Sequence, residues 1–205
     1  MLSIGLTGGI GCGKTTVSTL FNKQFNIPII DADIIARQVV EPGQSGLTQL
    51  VNLLGPSILT EQGTLNRNDL KKRIFSNSEL KLQVENILHP LIFSQMQKMS
   101  ETIQDRPYII FSIPLLFETH QAHLTDRVLV IDCLENQQIS RVKQRDALEE
   151  ADIKLIMASQ VSRQYRLTHC DDVIDNSDAD AEKLAEQIKK LHLFYLSLST
   201  DQRIS

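Results

Sequence analysis

IGLTGGIGCGKTT, residues 4–16, sets glycines, a lysine and paired threonines directly behind a short apolar run. Gly8, Gly13, Lys14 and Thr15 satisfy the spacing G-x-x-x-x-G-K-[ST]. Each residue type has a task in that pattern. Glycines let the backbone turn tightly and approach a ligand, because no Cβ blocks positive φ. Successive N–H groups then face one concavity, which suits phosphate oxygens. The helix that follows adds its positive end. Lys14 can reach β- and γ-phosphates, and the Thr15 hydroxyl can ligate Mg²⁺. The flanks agree with the motif. Leu2–Leu6 reads as a short buried strand. Residues 15–25 read as a helix with Val17, Leu20 and Phe21 on one face. The alternative is an ordinary glycine-rich turn between a strand and a helix, which the full match disfavours.

The remaining composition narrows the class. At 205 residues the chain is one domain of ordinary size, and 41% apolar content suffices for a sizeable core. A net charge of −4 lacks the basic footprint of a nucleic-acid binder, so a polyanion site here is local. Met1 leads straight into a strand, and no apolar run reaches membrane-spanning length, so a cytoplasmic protein without a membrane partner is expected. Cys12, Cys133 and Cys170 follow no metal spacing and are expected as reduced thiols. Within the loop, the helix end and Lys14 could depress the Cys12 thiol pKa, although loop geometry alone asks only for a small residue there.

Beyond the loop, residues 27–30 predict a strand ending in Asp31 and Asp33. If the strand persists, both acids point the same way. One could hold a metal or its water, and the other could accept a hydroxyl proton. The same Asp-Ala-Asp can also begin the helix over residues 34–40. Residues 34–104 then read as helical, with helices over 47–54, 67–76, 78–89 and 90–103. Pro90 is expected as the first residue of the last of these. A segment this long reads as an inserted helical lobe where a second substrate docks. Residues 108–113 and 127–133 read as strands buried on both faces. Helices follow over 136–146 and 149–160, then a short strand over 171–177 and an amphipathic helix over 180–198. Five strands alternating with helices predict an α/β fold with a doubly wound parallel sheet. Its edge would gather the loop, Asp31, Asp33, residues 114–118 and Asp132.

The loop says nucleotide, and three classes compete for it. A guanine-nucleotide switch would carry Asn-Lys-x-Asp, but Asn22-Lys23 is followed by Gln24 and Phe25. A motor ATPase would use an apolar strand ending in an acid, which residues 128–132 imitate late in the chain. A small-molecule kinase needs an acceptor lobe and a cationic lid, and residues 135–166 supply the lid candidate. Arg141 and Arg145 share a helix face, and Arg163 and Arg166 lie three apart on another helix. Guanidinium forks suit transferring phosphates, whereas the competing reading makes these arginines part of a solvated helix.

The chain resembles the dephospho-CoA kinase family in residues 6–16, 31–33, 89–90, 113–118, 140–146, 159–160 and 171–177. The resemblance implies a single 1–205 domain with a five-stranded parallel sheet of P-loop nucleoside-triphosphate hydrolase type. Within it, 34–104 would be the CoA-substrate lobe and 135–166 the lid. It implies transfer of the ATP γ-phosphoryl to the ribose 3′-hydroxyl of dephospho-CoA, the last step of coenzyme A synthesis. Asp33 would be the base. ATP and Mg²⁺ would sit on residues 8–16, with Gly11, Cys12, Gly13, Lys14, Thr15 and Thr16 as contacts and Thr15 on the metal. Arg141 and Arg145 would cover the phosphates, and Asn176 would lie near the adenine. His89, Pro114 and Leu115 would belong to the acceptor side, and a monomer or homotrimer is expected. Relatives often carry Ser or Ala where this chain has Cys12. Some carry an acid at Ser112, which leaves open the Mg²⁺ contact outside the loop.

Overall fold

Strands that other elements cover on both faces must be apolar at successive positions, and this chain supplies such runs at intervals. The computed structural model describes residues 1–178 and 180–201. Residues 179 and 202–205 of the expected 1–205 domain lie outside the described part. In chain order the elements are β1 Leu2–Gly8, α1 Lys14–Phe25, β2 Ile29–Asp31, α2 Ala32–Gln38, α3 Ser45–Leu54, α4 Arg67–Phe75 and α5 Ser78–Thr102. They continue with β3 Tyr108–Ser112, β4 Arg127–Asp132, α6 Glu135–Asp146, α7 Glu150–Ala158, α8 Arg163–Thr168, β5 Asp172–Asp175 and α9 Ala181–Asp201.

The chain divides into two compact units, Met1–Asp31 with Ile103–Ser205, and Ala32–Thr102. The first contains a five-stranded sheet in the order β2-β3-β1-β4-β5. Every pairing is parallel, and Leu6 of central β1 stands between Ser112 of β3 and Leu129 of β4. One sheet face carries Ile4, Leu6, Tyr108, Ile110, Leu129 and Ile131 against Val17 and Phe21 of α1 and Leu184 and Ile188 of α9. The alternate residues Ile109, Phe111, Val128 and Val130 are buried as well, which is why these strands read as unbroken apolar runs. The α9 end is tied by polar contacts. Tyr195 Oη donates to Asp172 Oδ2 at 2.9 Å, and the same carboxylate pairs with Arg127 Nε at 2.9 Å.

The second unit is wholly helical apart from a single bridge between Leu59 and Leu65. Its organising element is α5, against which α2, α3 and α4 pack. One expectation is corrected here, and one alternative that the sequence left open is decided. Residues 78–102 form one helix with Pro90 inside it, not two helices with Pro90 at the start of the second. Proline removes one backbone bond and crowds the preceding turn, at about 3 kcal/mol in a helix interior. Packing of α5 on both sides of Pro90, with Val84 and Met96 buried, offsets that cost. Likewise β2 stops at Asp31 and α2 begins at Ala32, so Asp33 occupies a first helical turn. The alternation that would have put both acids on one strand face is therefore broken between them. Among the described residues, no helix is long and apolar enough to cross a membrane.

Candidate active site

The loop between β1 and α1 is held in shape by side chains from far along the chain. Gln138 Nε2 donates to the Ile10 carbonyl at 2.7 Å, while the Ile10 amide donates to Gln160 Oε1 at 3.0 Å. Arg141 reaches the Gly11 carbonyl at 3.5 Å and the Asn176 carbonyl at 2.8 Å. Asn176 Nδ2 donates to the Cys12 carbonyl at 2.7 Å. Three successive loop carbonyls are thus tied to donors outside the loop. Amides in a helix's first turn have no carbonyl within the helix to bond, and so they serve an anion. Lys14, Thr15 and Thr16 make up that turn of α1, with both threonine side chains exposed.

Gly13 has φ 97°, and a Cβ there would collide with Asn176 Nδ2. Both the backbone and the space therefore demand glycine. Gly13→Ala is expected to abolish measurable binding of a fluorescent ATP analogue while the far-ultraviolet circular dichroism stays that of the parent. Retained binding would show that the loop does not use this conformation.

Gly13, Thr16, Arg141 and Asn176 also border an open cavity of about 300 Å³, whose lining is completed by Asp178, Asp180, Ala181 and Leu184. Of these groups, Arg141 suits a phosphate chain and Asn176 the polar edge of a heterocycle. Arg145 is placed differently. It is 64% exposed and paired with its neighbour Asp146 at 2.7 Å. Of the two arginines read on a second helix, Arg163 forks onto Asp132 at 2.6 and 2.8 Å. Arg166 is buried in α8, and its Nη1 donates to the Val161 carbonyl at 2.6 Å. Asp132, the acid that imitated a motor's strand-end acid, is thus occupied by a guanidinium.

Pro114 and Leu115 follow β3, and the Pro114 carbonyl accepts from Thr7 Oγ1 at 3.1 Å. Glu118, the last residue of the 114–118 segment, accepts the Val161 amide at 2.8 Å and so braces the segment before α8. At the strand tips, Asp31 stands in register with Ser112. Asp33 and His89 belong to the helical unit, in α2 and α5.

Burial holds the His89 imidazole below the ordinary histidine value, with Glu85 one turn away opposing the shift. Burial does the same to His192, which stacks on Phe25 and shares a 2.8 Å hydrogen bond with Tyr108. A depressed histidine is neutral in the fold while the unfolded chain binds the proton. Its stabilising contribution is therefore full above the ordinary value near 6.5 and is lost as pH falls toward the depressed folded value. The melting temperature should fall as pH is lowered below about 6.5, and His192→Phe should remove part of that decline. An unchanged pH profile in the variant would assign the decline to other groups.

The donor set fits magnesium. Among the described residues, no group of three His, Cys, Asp or Glu side chains could hold a metal ion. Mg²⁺ favours hard oxygen, retains water and is commonly held by one or two protein oxygens with substrate phosphates. An exposed Thr15 hydroxyl at the helix start meets that requirement.

Sequence reasoning missed Gln138 and gave Gln160 no role. The available signal for the former was its position three residues before Arg141 on one helix, which puts both on one face.

A phosphate loop on the central strand of a parallel sheet, steadied by an arginine-bearing helical segment, is built for a nucleoside triphosphate that gives up its terminal group. This places the chain among the P-loop kinases. Comparison with known proteins narrows the class. A profile of the dephospho-CoA kinase family matches residues 2–182. The dephospho-CoA kinase of Vibrio vulnificus is 46% identical over 204 residues, covering 98% of this chain and 99% of that one. That of Yersinia pestis is 45% identical over 197 residues, covering 96% and 94%. The chain belongs to the dephospho-CoA kinase family. Among solved structures, TT1252 from Thermus thermophilus superposes with a TM-score of 0.82 at 23% identity, covering 94% of this chain and 96% of that one. Dephospho-CoA kinase from Campylobacter jejuni gives 0.71 at 25% identity over the same shares.

Proposed function

We propose that this protein transfers the γ-phosphoryl group of ATP to the ribose 3′-hydroxyl of dephospho-CoA, releasing coenzyme A and ADP. The observation that carries the acceptor's identity is the extent of the likeness, 98% of the chain including the whole helical unit. The fold alone would not distinguish acceptors, because a shikimate kinase shares it at a TM-score of 0.52 and 16% identity.

The roles follow from the residues. Gly11, Cys12, Gly13, Lys14, Thr15 and Thr16 receive the ATP phosphates on main-chain amides. Lys14 supplies a mobile positive charge to the β- and γ-phosphates. Asn176 and Arg141 border the adenine side, and Arg141 with Arg145 screens the phosphates when the 135–166 segment closes. Mg²⁺, when bound through Thr15, neutralises charge on the phosphate oxygens. Asp33 orients the ribose hydroxyl and accepts its proton late, as expected for a loose transition state. His89, Pro114 and Leu115 serve the acceptor. Closure excludes water, so ATP hydrolysis without acceptor is slow. A cytoplasmic setting suits an acidic chain whose two substrates are small and soluble.

Release of ADP should be followed with ATP and magnesium against dephospho-CoA, adenosine, AMP and shikimate offered separately. Turnover with dephospho-CoA alone is expected, and coenzyme A should appear in equal amount. Preference for another acceptor, or turnover driven by a macromolecule, would overturn the reading.

A further inference from the structure

Cys12 of the nucleotide loop and Cys133, the residue after β4, lie with their sulfurs 3.1 Å apart although 121 positions separate them in the chain. Neighbouring strands bring them together, since Gly8 at the end of β1 is in register with Ile131 of β4. Both thiols are free, and they are only 2% and 1% exposed. The Cys133 thiol donates its hydrogen to Cys12 Sγ. That hydrogen bond, with help from the nearby Arg166 guanidinium, lowers the Cys12 pKa against the opposing effect of burial. The partner is shifted the other way, because it is the donor and is buried. The pair is therefore differentiated into a sulfur that ionises more readily and a sulfur that holds its proton more tightly. The third cysteine, Cys170, donates to the Leu167 carbonyl and takes no part.

We propose that Cys12 and Cys133 form an oxidative modification site, in which a small hydroperoxide converts the thiol pair to a disulfide that disables the nucleotide loop. When the glycine-flanked loop opens and exposes Cys12, its ionised sulfur attacks one peroxide oxygen, the O–O bond breaks, and Cys12 becomes a sulfenic acid while hydroxide leaves. Cys133 sulfur then attacks the Cys12 sulfur and displaces the second hydroxide. The thiol protons convert both hydroxides to water, so two thiols and one hydrogen peroxide give one disulfide and two waters. A disulfide brings its sulfurs to about 2.05 Å, so closure draws the two sulfurs together by roughly 1 Å and pulls on the segments that carry them. The loop is the side able to move, because Cys12 lies between Gly11 at φ 76° and Gly13 at φ 97°. Its displacement disturbs the bonds of Asn176 to the Cys12 carbonyl and of Arg141 to the Gly11 carbonyl. A misplacement of about 1 Å in a phosphate site costs on the order of 100-fold in turnover.

The covalent step stands apart from the proposed function, and the two are measured separately. The purified full-length chain is exposed to hydrogen peroxide and followed by intact mass, by peptide mapping and by binding of a fluorescent ATP analogue. The expected result is a loss of about 2 Da, the two hydrogens removed. Mapping should join Cys12 to Cys133, nucleotide binding should fall, and a thiol reductant should reverse all three. Cys133→Ser and Cys133→Ala should bind nucleotide normally before treatment and show no such loss of mass. Cys133→Ser, which keeps a hydrogen-bond donor beside Cys12, should instead gain about 16 Da or more at Cys12, whereas Cys133→Ala, which removes the donor, should gain less. Cys170→Ser should behave as the parent. Absence of the mass loss in the parent, a disulfide that uses Cys170, or the same reversible inactivation in both Cys133 variants would each overturn the site. A mapped Cys12–Cys133 disulfide with undiminished nucleotide binding would overturn its effect on the loop. Phosphoryl transfer to dephospho-CoA enters none of these measurements, so loss of that activity would leave the thiol chemistry untouched.

Discussion

Lys14→Met is expected to lower kcat/KM for coenzyme A formation about 1,000-fold, or about 4 kcal/mol of transition-state stabilisation. In the transferring group, charge spreads over three equatorial oxygens, and catalysis consists mainly of positioning and electrostatic neutralisation. Lys14 is the first residue of α1, so its ammonium adds to the helix's positive end. Methionine is one atom shorter, keeps an unbranched apolar stem, and removes the ammonium with its charge and its three N–H donors. The loop's fastenings at Ile10, Gly11 and Cys12 do not involve Lys14, so they should survive the substitution. Lys14→Arg should recover little, because a planar fork cannot replace a compact ammonium within a fitted loop. Steady-state kinetics with both substrates varied, and ATP affinity measured separately, decide the matter. Equal losses in kcat and kcat/KM would place the contact in the transition state, whereas a change in KM alone would place it in ground-state binding. A variant within about tenfold of the parent would remove Lys14 from the chemistry, since that corresponds to only about 1.4 kcal/mol.

What the sequence disclosed, and what it hid, divides along contact distance in the chain. The β1–loop–α1 unit was legible because strand, glycine spacing and helix start are contiguous, and each step has a local physical signature. The buried strands were legible for the same reason: five successive buried positions in β3 require five residues that tolerate burial. Pro90 misled because proline suits a first helical turn and also survives inside a helix when packing supports it. Only the surrounding helices decide between these, and they are specified elsewhere. The Asp31–Asp33 pair carried two periods at once, strand alternation and a helix start, and the structure takes the second from Ala32 onward. The loop's fastenings were least visible. Gln138 and Gln160 meet Ile10 across 128 and 150 positions. Nothing in a glutamine's local surroundings announces such a partner. Arg163 and Asp132 illustrate the same limit, because an arginine that the sequence left between a phosphate contact and a solvated helix is held by a strand-end carboxylate.

Asp33→Asn is expected to lower kcat by between about 100- and 1,000-fold while changing ATP affinity by no more than about twofold, if its carboxylate is the proton acceptor. The substitution preserves shape and hydrogen-bonding reach but removes the charge and basicity that a departing proton requires. Because the transition state is loose, the alcohol loses its proton late, which keeps the effect below that of the strongest general bases. Orientation and proton transfer can be separated by the pH dependence of kcat. A base leaves an acidic limb in the parent that disappears in the variant, whereas a purely orienting residue lowers the whole profile without changing its shape. Asp33→Glu provides a further distinction: it retains the base one methylene further from the backbone and should recover part of the rate. Asp31 is the necessary comparison. It ends β2 in register with Ser112, two positions earlier and on a different kind of element. If Asp31→Asn abolishes turnover and Asp33→Asn leaves it within about fivefold, the proton acceptor is the strand-tip acid. The helical turn that begins at Ala32 would then serve to set that tip.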